Sequence, residues 1–127
     1  MKKTLLAVLV LVIVIVAWVS IAQKKHATNT TPQQRTASVS ITSAGFTPAT
    51  LTVKTGTKVT WTNTDSAKAG HRVKADPYPT GDSLPGLDSK IDMANGATYS
   101  YTFSTPGTVK YHDQVNPLLN GEVVVTQ

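Results

Sequence analysis

Thr50-Leu51-Thr52-Val53-Lys54-Thr55-Gly56-Thr57-Lys58-Val59-Thr60-Trp61-Thr62-Asn63 holds two short runs in which apolar and polar residues alternate. Leu51 and Val53 alternate with Thr50, Thr52 and Lys54, and Val59 and Trp61 with Lys58, Thr60 and Thr62. A period of two puts the apolar side chains on one face of a strand, and β-branched and aromatic residues suit such a half-buried surface. Thr55-Gly56 between the runs is a turn signal. The pattern continues on both sides: Val39 and Ile41 upstream, then Tyr99, Tyr101 and Phe103, then Val109 and Tyr111. Ala44-Gly45, Asn95-Gly96 and Pro106-Gly107 punctuate these runs. Short strands at this spacing predict an all-β domain, an antiparallel sandwich of about seven or eight strands with Trp61 at its centre. No segment beyond the N-terminus has a helical period.

The N-terminus differs. Thr4 to Ala22 is 19 residues without charge, glycine or proline, flanked by Lys2-Lys3 and Lys24-Lys25. As a helix rising ~1.5 Å per residue it reaches about 28 Å, close to the hydrocarbon thickness of a bilayer. Residues 1–22 are therefore expected to be one hydrophobic helix, a membrane anchor or a signal peptide. Ser20-Ile21-Ala22 offers a small-x-small cleavage site, so secretion after signal cleavage stands as the alternative to a single-pass anchor. Lys2 and Lys3 favour the cytoplasmic side, which places the domain outside the cytoplasm. Residues 23–36 have almost nothing to bury and are expected to be a disordered linker. The domain is assigned to residues 37–127.

Composition removes several function classes. Four of the twelve basic residues flank the apolar run, and the others nearly balance seven acidic ones, so no nucleic-acid partner is implied. With no cysteine, the chain forms no disulfide, thiol nucleophile or copper–thiolate bond. Serines are numerous, but none sits in a nucleophile elbow or beside an activating His–acid pair, and no enzymatic activity is expected. Asp76, Asp82, Asp88 and Asp92 lie in a proline- and glycine-rich loop whose spacing matches no calcium-binding pattern, so they read as turn residues.

Gly45-Phe46-Thr47-Pro48-Ala49 with the segment quoted above, His71 in Ala69-Gly70-His71-Arg72-Val73, the run Tyr99 to Thr108, and Tyr111-His112-Asp113-Gln114-Val115-Asn116-Pro117-Leu118-Leu119 share one resemblance. Together they resemble the cupredoxins, the plastocyanin/azurin/amicyanin family of blue-copper electron carriers. The resemblance implies a cupredoxin-like Greek-key β-sandwich, copper as cofactor and electron transfer as activity. It also implies that His71 is the first copper ligand and that a loop of the form Tyr-His-Cys-x-x-His-Pro-x-Met supplies the other three. Here Asp113 stands at the cysteine position, Asn116 at the second histidine and Leu119 at the methionine.

A blue-copper centre needs two histidines, a thiolate and a weak axial ligand, and only His71 of these remains. Asp113 would supply a hard oxygen, which favours Cu(II) or Zn(II) over Cu(I). The candidate metal residues are therefore His71 and Asp113. Strand alternation puts Asp113 on the inner face with Tyr111 and sends His112 outward with Lys110, as a surface histidine. A carboxylate at the inner end of a strand needs donors, and His71, Arg72 and loop N–H groups are the candidates. Two roles stay open for Asp113: a cap, with Asn116, for the loop before Pro117, and a metal ligand. The expected function is a membrane-tethered, extracytoplasmic, non-redox binding domain or a subunit of an envelope complex. Its partners would be the membrane, through the N-terminal helix, and an envelope protein. No cofactor is expected. The alternatives are a Cu(II)-type metal-binding protein at His71 and Asp113, and electron transfer as in the parent family.

Overall fold

The structure is a computed structural model and describes residues 33–67 and 69–127. The expected N-terminal helix, and the linker before residue 33, lie outside the described residues. Eight strands make up the domain: β1 Thr36–Thr42, β2 Gly45–Thr47, β3 Thr50–Lys54, β4 Thr57–Asn63, β5 Val73–Ala75, β6 Thr98–Phe103, β7 Gly107–Asp113 and β8 Asn120–Thr126. They form two four-stranded sheets, ordered β2-β1-β4-β6 and β3-β8-β7-β5. Each sheet buries one face, as the period-two pattern requires.

Strand direction departs from the antiparallel expectation. β1 runs parallel to β4, and β3 runs parallel to β8. The cause lies in connectivity. After the β1–β2 hairpin the chain crosses to the second sheet as β3 and returns to the first as β4, so β4 meets β1 without a hairpin between them. Alternation reports which face a side chain takes, and both pairing directions satisfy it.

Trp61 is fully buried. In register it lies between Val39 of β1 and Tyr99 of β6. Across the core it meets Tyr111 of the opposite sheet edge-on, with centroids 5.4 Å apart at 83°. Phe46 meets Tyr111 in the same manner at 4.8 Å. Such T-shaped contacts place ring edges on ring faces, the arrangement that aromatic quadrupoles favour. Gly121 is the register partner of Tyr111, and a Cβ there would come within 2.5 Å of the Tyr111 ring. The tyrosine therefore lies flat over its cross-strand neighbour. Burial pushes the Tyr111 hydroxyl up to about 12.

The long connection between β5 and β6 is pinned by an ion pair. Arg72 Nε and Nη2 each donate to a different oxygen of Asp88 at 3.0 Å, and Lys90 N donates to Asp88 Oδ1 at 2.8 Å. Asp88 thus serves its turn, as its sequence setting suggests, and also anchors that turn to the strand end. Burial pushes its carboxyl up, but the Arg72 hydrogen bond, the Lys90 N–H and both cationic charges outweigh it and hold the carboxyl at about 2. The same hydrogen bond raises the Arg72 guanidinium.

Two outcomes are expected. Trp61→Ala should cost roughly 3–5 kcal/mol in urea unfolding, because the cavity spans both sheets. A loss below about 1 kcal/mol would contradict the central placement of Trp61. Asp88 has a folded value below its unfolded one, so its stabilisation is complete above about pH 4 and is lost as pH falls toward about 2. Unfolding across that window should show a smaller acid-dependent loss in Arg72→Gln than in the unmodified protein. Equal slopes would mean that the pair contributes nothing.

Candidate functional site: a buried Asp–His–Asp cluster

At one end of the sandwich, β4, β5 and β7 reach the same buried corner. Asn63, the last residue of β4, fixes the loop that follows. Its Nδ2 donates to Met93 O at 2.7 Å and to Ala69 O at 2.9 Å, while its Oδ1 accepts from Asp65 N at 2.8 Å. His71 pairs with Met93 through both backbone groups. These bonds seat Asp65 and His71 side by side beneath the end of β7.

The His71 ring lies between two carboxylates. Its Nδ1 is 2.6 Å from Asp113 Oδ2 and its Nε2 is 3.1 Å from Asp65 Oδ2. All three side chains are at most 4 % exposed. The other oxygen of each carboxylate is also engaged. Asp113 Oδ1 accepts from Arg72 N at 2.8 Å and from Val115 N at 3.0 Å. Asp65 Oδ1 accepts from Ala67 N at 2.8 Å. Each carboxylate therefore has hydrogen-bond partners for both oxygens, as burial demands.

His71 and Asp113, the two residues singled out from sequence, are thus in direct contact. All three expected classes of donor reach Asp113, although Arg72 contributes its backbone N–H and reserves its guanidinium for Asp88. The bond to Val115 N makes Asp113 the cap of the closing loop. Asn116 departs from the expected cap: its side chain is exposed, and only its main-chain carbonyl takes part in the loop, accepting from Leu119 N at 2.9 Å. Sequence reasoning missed Asp65. Its one signal is a carboxylate just past the end of an apolar strand and six residues before His71, which also fits an ordinary turn aspartate.

His112 corrects an expectation. Its side chain does point away from Asp113, but it is not on the surface: the residue is 1 % exposed. The chain after β5 folds over the outer face of β7 and covers it. His112 Nδ1 lies 2.7 Å from Asp76 Oδ1 and Nε2 lies 2.9 Å from Gln114 Oε1. The Tyr78 ring stands edge-on to the imidazole at 5.5 Å. Alternation along β7 holds, and the outer face is roofed by a loop that no periodicity announces.

The donor set does not fit a blue-copper centre. No cysteine is available, and Asp113, which the resemblance sets at the thiolate position, is already hydrogen-bonded to the histidine. Asn116 is exposed, and Leu119 offers no donor beyond its main chain. Among the described residues, no group of three or more His, Cys, Asp or Glu side chains is arranged to hold a metal ion. Asp65 and Asp113 point at opposite nitrogens of one ring, so the three do not converge on a common point.

Known proteins carry the same architecture. The family model for a cupredoxin-like domain matches residues 11–125. Amicyanin-alpha of Methylorubrum extorquens is 31% identical over 90 residues, spanning 68% of this chain and 69% of that protein. An amicyanin variant in its reduced Cu(I) form at pH 4 superposes with a TM-score of 0.61 at 32% identity, over 72% of this chain and 82% of that one. A purple cupredoxin from Nitrosopumilus maritimus superposes with a TM-score of 0.54 at 22% identity, over 71% of this chain and 99% of its own, which bears on the fold alone. The two-sheet sandwich accords with these matches, and the chain belongs to the family of cupredoxin-like domains.

Proposed function

We propose that this chain is a non-redox member of its family, a membrane-tethered extracytoplasmic domain that binds an envelope protein and catalyses no reaction. The observation that carries the proposal is the occupant of the thiolate position. Asp113 is fully buried and directs its carboxylate to His71, Arg72 N and Val115 N, so the group that would tune a copper ion serves as a structural acceptor. A copper site built from oxygen and imidazole favours Cu(II) and exchanges electrons poorly. The binding role draws on the closing loop, where Leu118 is 86% exposed and Val115 50% exposed. Apolar side chains at a loop tip suit a protein partner. The apolar run Thr4 to Ala22 supports the tether.

The second reading, a Cu(II)-type site, is favoured by one observation: His71 and Asp113 are adjacent and buried together. It requires the ring and the carboxylate to part and admit an ion.

The full-length protein exposed to Cu(II) should lack the intense red-region absorption of a copper–thiolate bond and should not cycle with a one-electron reductant. A blue species would overturn the non-redox reading. Cell fractionation should place the protein in a carbonate-resistant membrane fraction, whereas recovery of a soluble form beginning at Gln23 would show a cleaved signal.

A further inference from the structure

We infer that Asp65, His71 and Asp113 form a metal-independent clamp, an imidazole hydrogen-bonded between two carboxylates, which joins the loop after β4 to the closing loop where the family would use a metal ion. The inference rests on the chain having no blue-copper centre and goes beyond it, because it says what fills that place.

Hydrogen-bond inventory comes first. Each imidazole nitrogen makes one hydrogen bond, and a buried carboxylate needs a partner for each oxygen. Both ring nitrogens of His71 face carboxylate oxygens. Among the described residues, every other hydrogen bond to the two carboxylates comes from a backbone N–H, of Ala67, Arg72 or Val115. Both ring nitrogens and all four carboxylate oxygens therefore have partners within the chain. The shorter of the two ring bonds, at 2.6 Å, reaches Asp113.

Space comes second. Two ligand atoms bound to one tetrahedral ion at about 2.0–2.1 Å lie roughly 3.3 Å apart. Nδ1 and Asp113 Oδ2 are closer than that, so an ion cannot enter between them without moving the β7 end. Asp113 Oδ1 resists that movement, because it is tied to Arg72 N and Val115 N. On the other side, Asp65 occupies Nε2 and is itself fixed by Asn63 and Ala67. Neither ring lone pair is offered to a metal.

Connectivity comes third. Asp65 follows β4, His71 precedes β5 and Asp113 ends β7, so the clamp ties both sheets. A bound ion linking His71 to the closing loop would tie the same segments.

The test uses the ¹⁵N-labelled full-length chain at neutral pH. A two-bond ¹H–¹⁵N spectrum resolves the ring nitrogens of His71, with those of His26 and His112 for comparison. Equimolar Cu(II) or Zn(II) should leave the His71 ring signals and the melting temperature unchanged. Asp65→Asn and Asp113→Asn should each lower the metal-free melting temperature and shift the His71 ring signals. A wild-type ring whose signals Cu(II) removes or Zn(II) shifts overturns the proposal whether or not the variants fold. Loss of the signals without a blue band would sink the clamp and leave the non-redox reading standing, whereas a blue band would sink that reading itself.

Discussion

A fully buried carboxylate needs donors for both of its oxygens, and that demand on Asp113 shapes the end of the sandwich. One oxygen holds the turn of the closing loop through Val115 N and reaches across to β5 through Arg72 N. The other meets His71. Removing the carboxylate would strand two backbone N–H groups and one ring nitrogen in a dry corner, and such losses cost more than the bonds contribute when made. The segments around it are therefore fixed as a set. Asn63 holds the Asp65 turn and Met93, Met93 holds His71, and His71 meets Asp113.

The sandwich supplies the stiffness behind this corner. Trp61 and Tyr111 interlock across the two sheets, and Tyr111 is two residues from Asp113 on the same inner face. A strand so fastened in the core delivers its last residue to a defined place. Gly121 makes the fastening close, since only a residue without Cβ lets the tyrosine ring rest on the neighbouring strand. The Arg72–Asp88 pair plays a like part for the long loop, holding its turn against the start of β5.

Much of this was legible in the chain. Period-two alternation located the core strands and the burial of Trp61, because inward residues of a half-buried sheet must be apolar. The same alternation put Asp113 inside, and the cost of a buried charge then named its donors. The unread parts share a cause: they depend on contacts between segments distant in sequence. Asp65 is an ordinary loop aspartate until the chain bends His71 toward it. His112 lies on the outer face, as alternation requires, yet the loop carrying Asp76 and Tyr78 covers that face. Parallel pairing of β1 with β4 follows from a sheet crossing that no local pattern records.

His112 and Asp113 are consecutive, and each is answered from the opposite side of β7. His112 meets the carboxylate of Asp76 outside, and Asp113 meets the imidazole of His71 inside. A slip of the strand by one residue would exchange the two faces. Asp113 would then confront Asp76, and His112 would confront His71, acid against acid and ring against ring. The pair therefore works as a two-sided key, with opposite chemistry cut into its two faces, and it fits only one alignment of the last strands. Tyr111 over Gly121 guards the same alignment by shape, and the key guards it by charge.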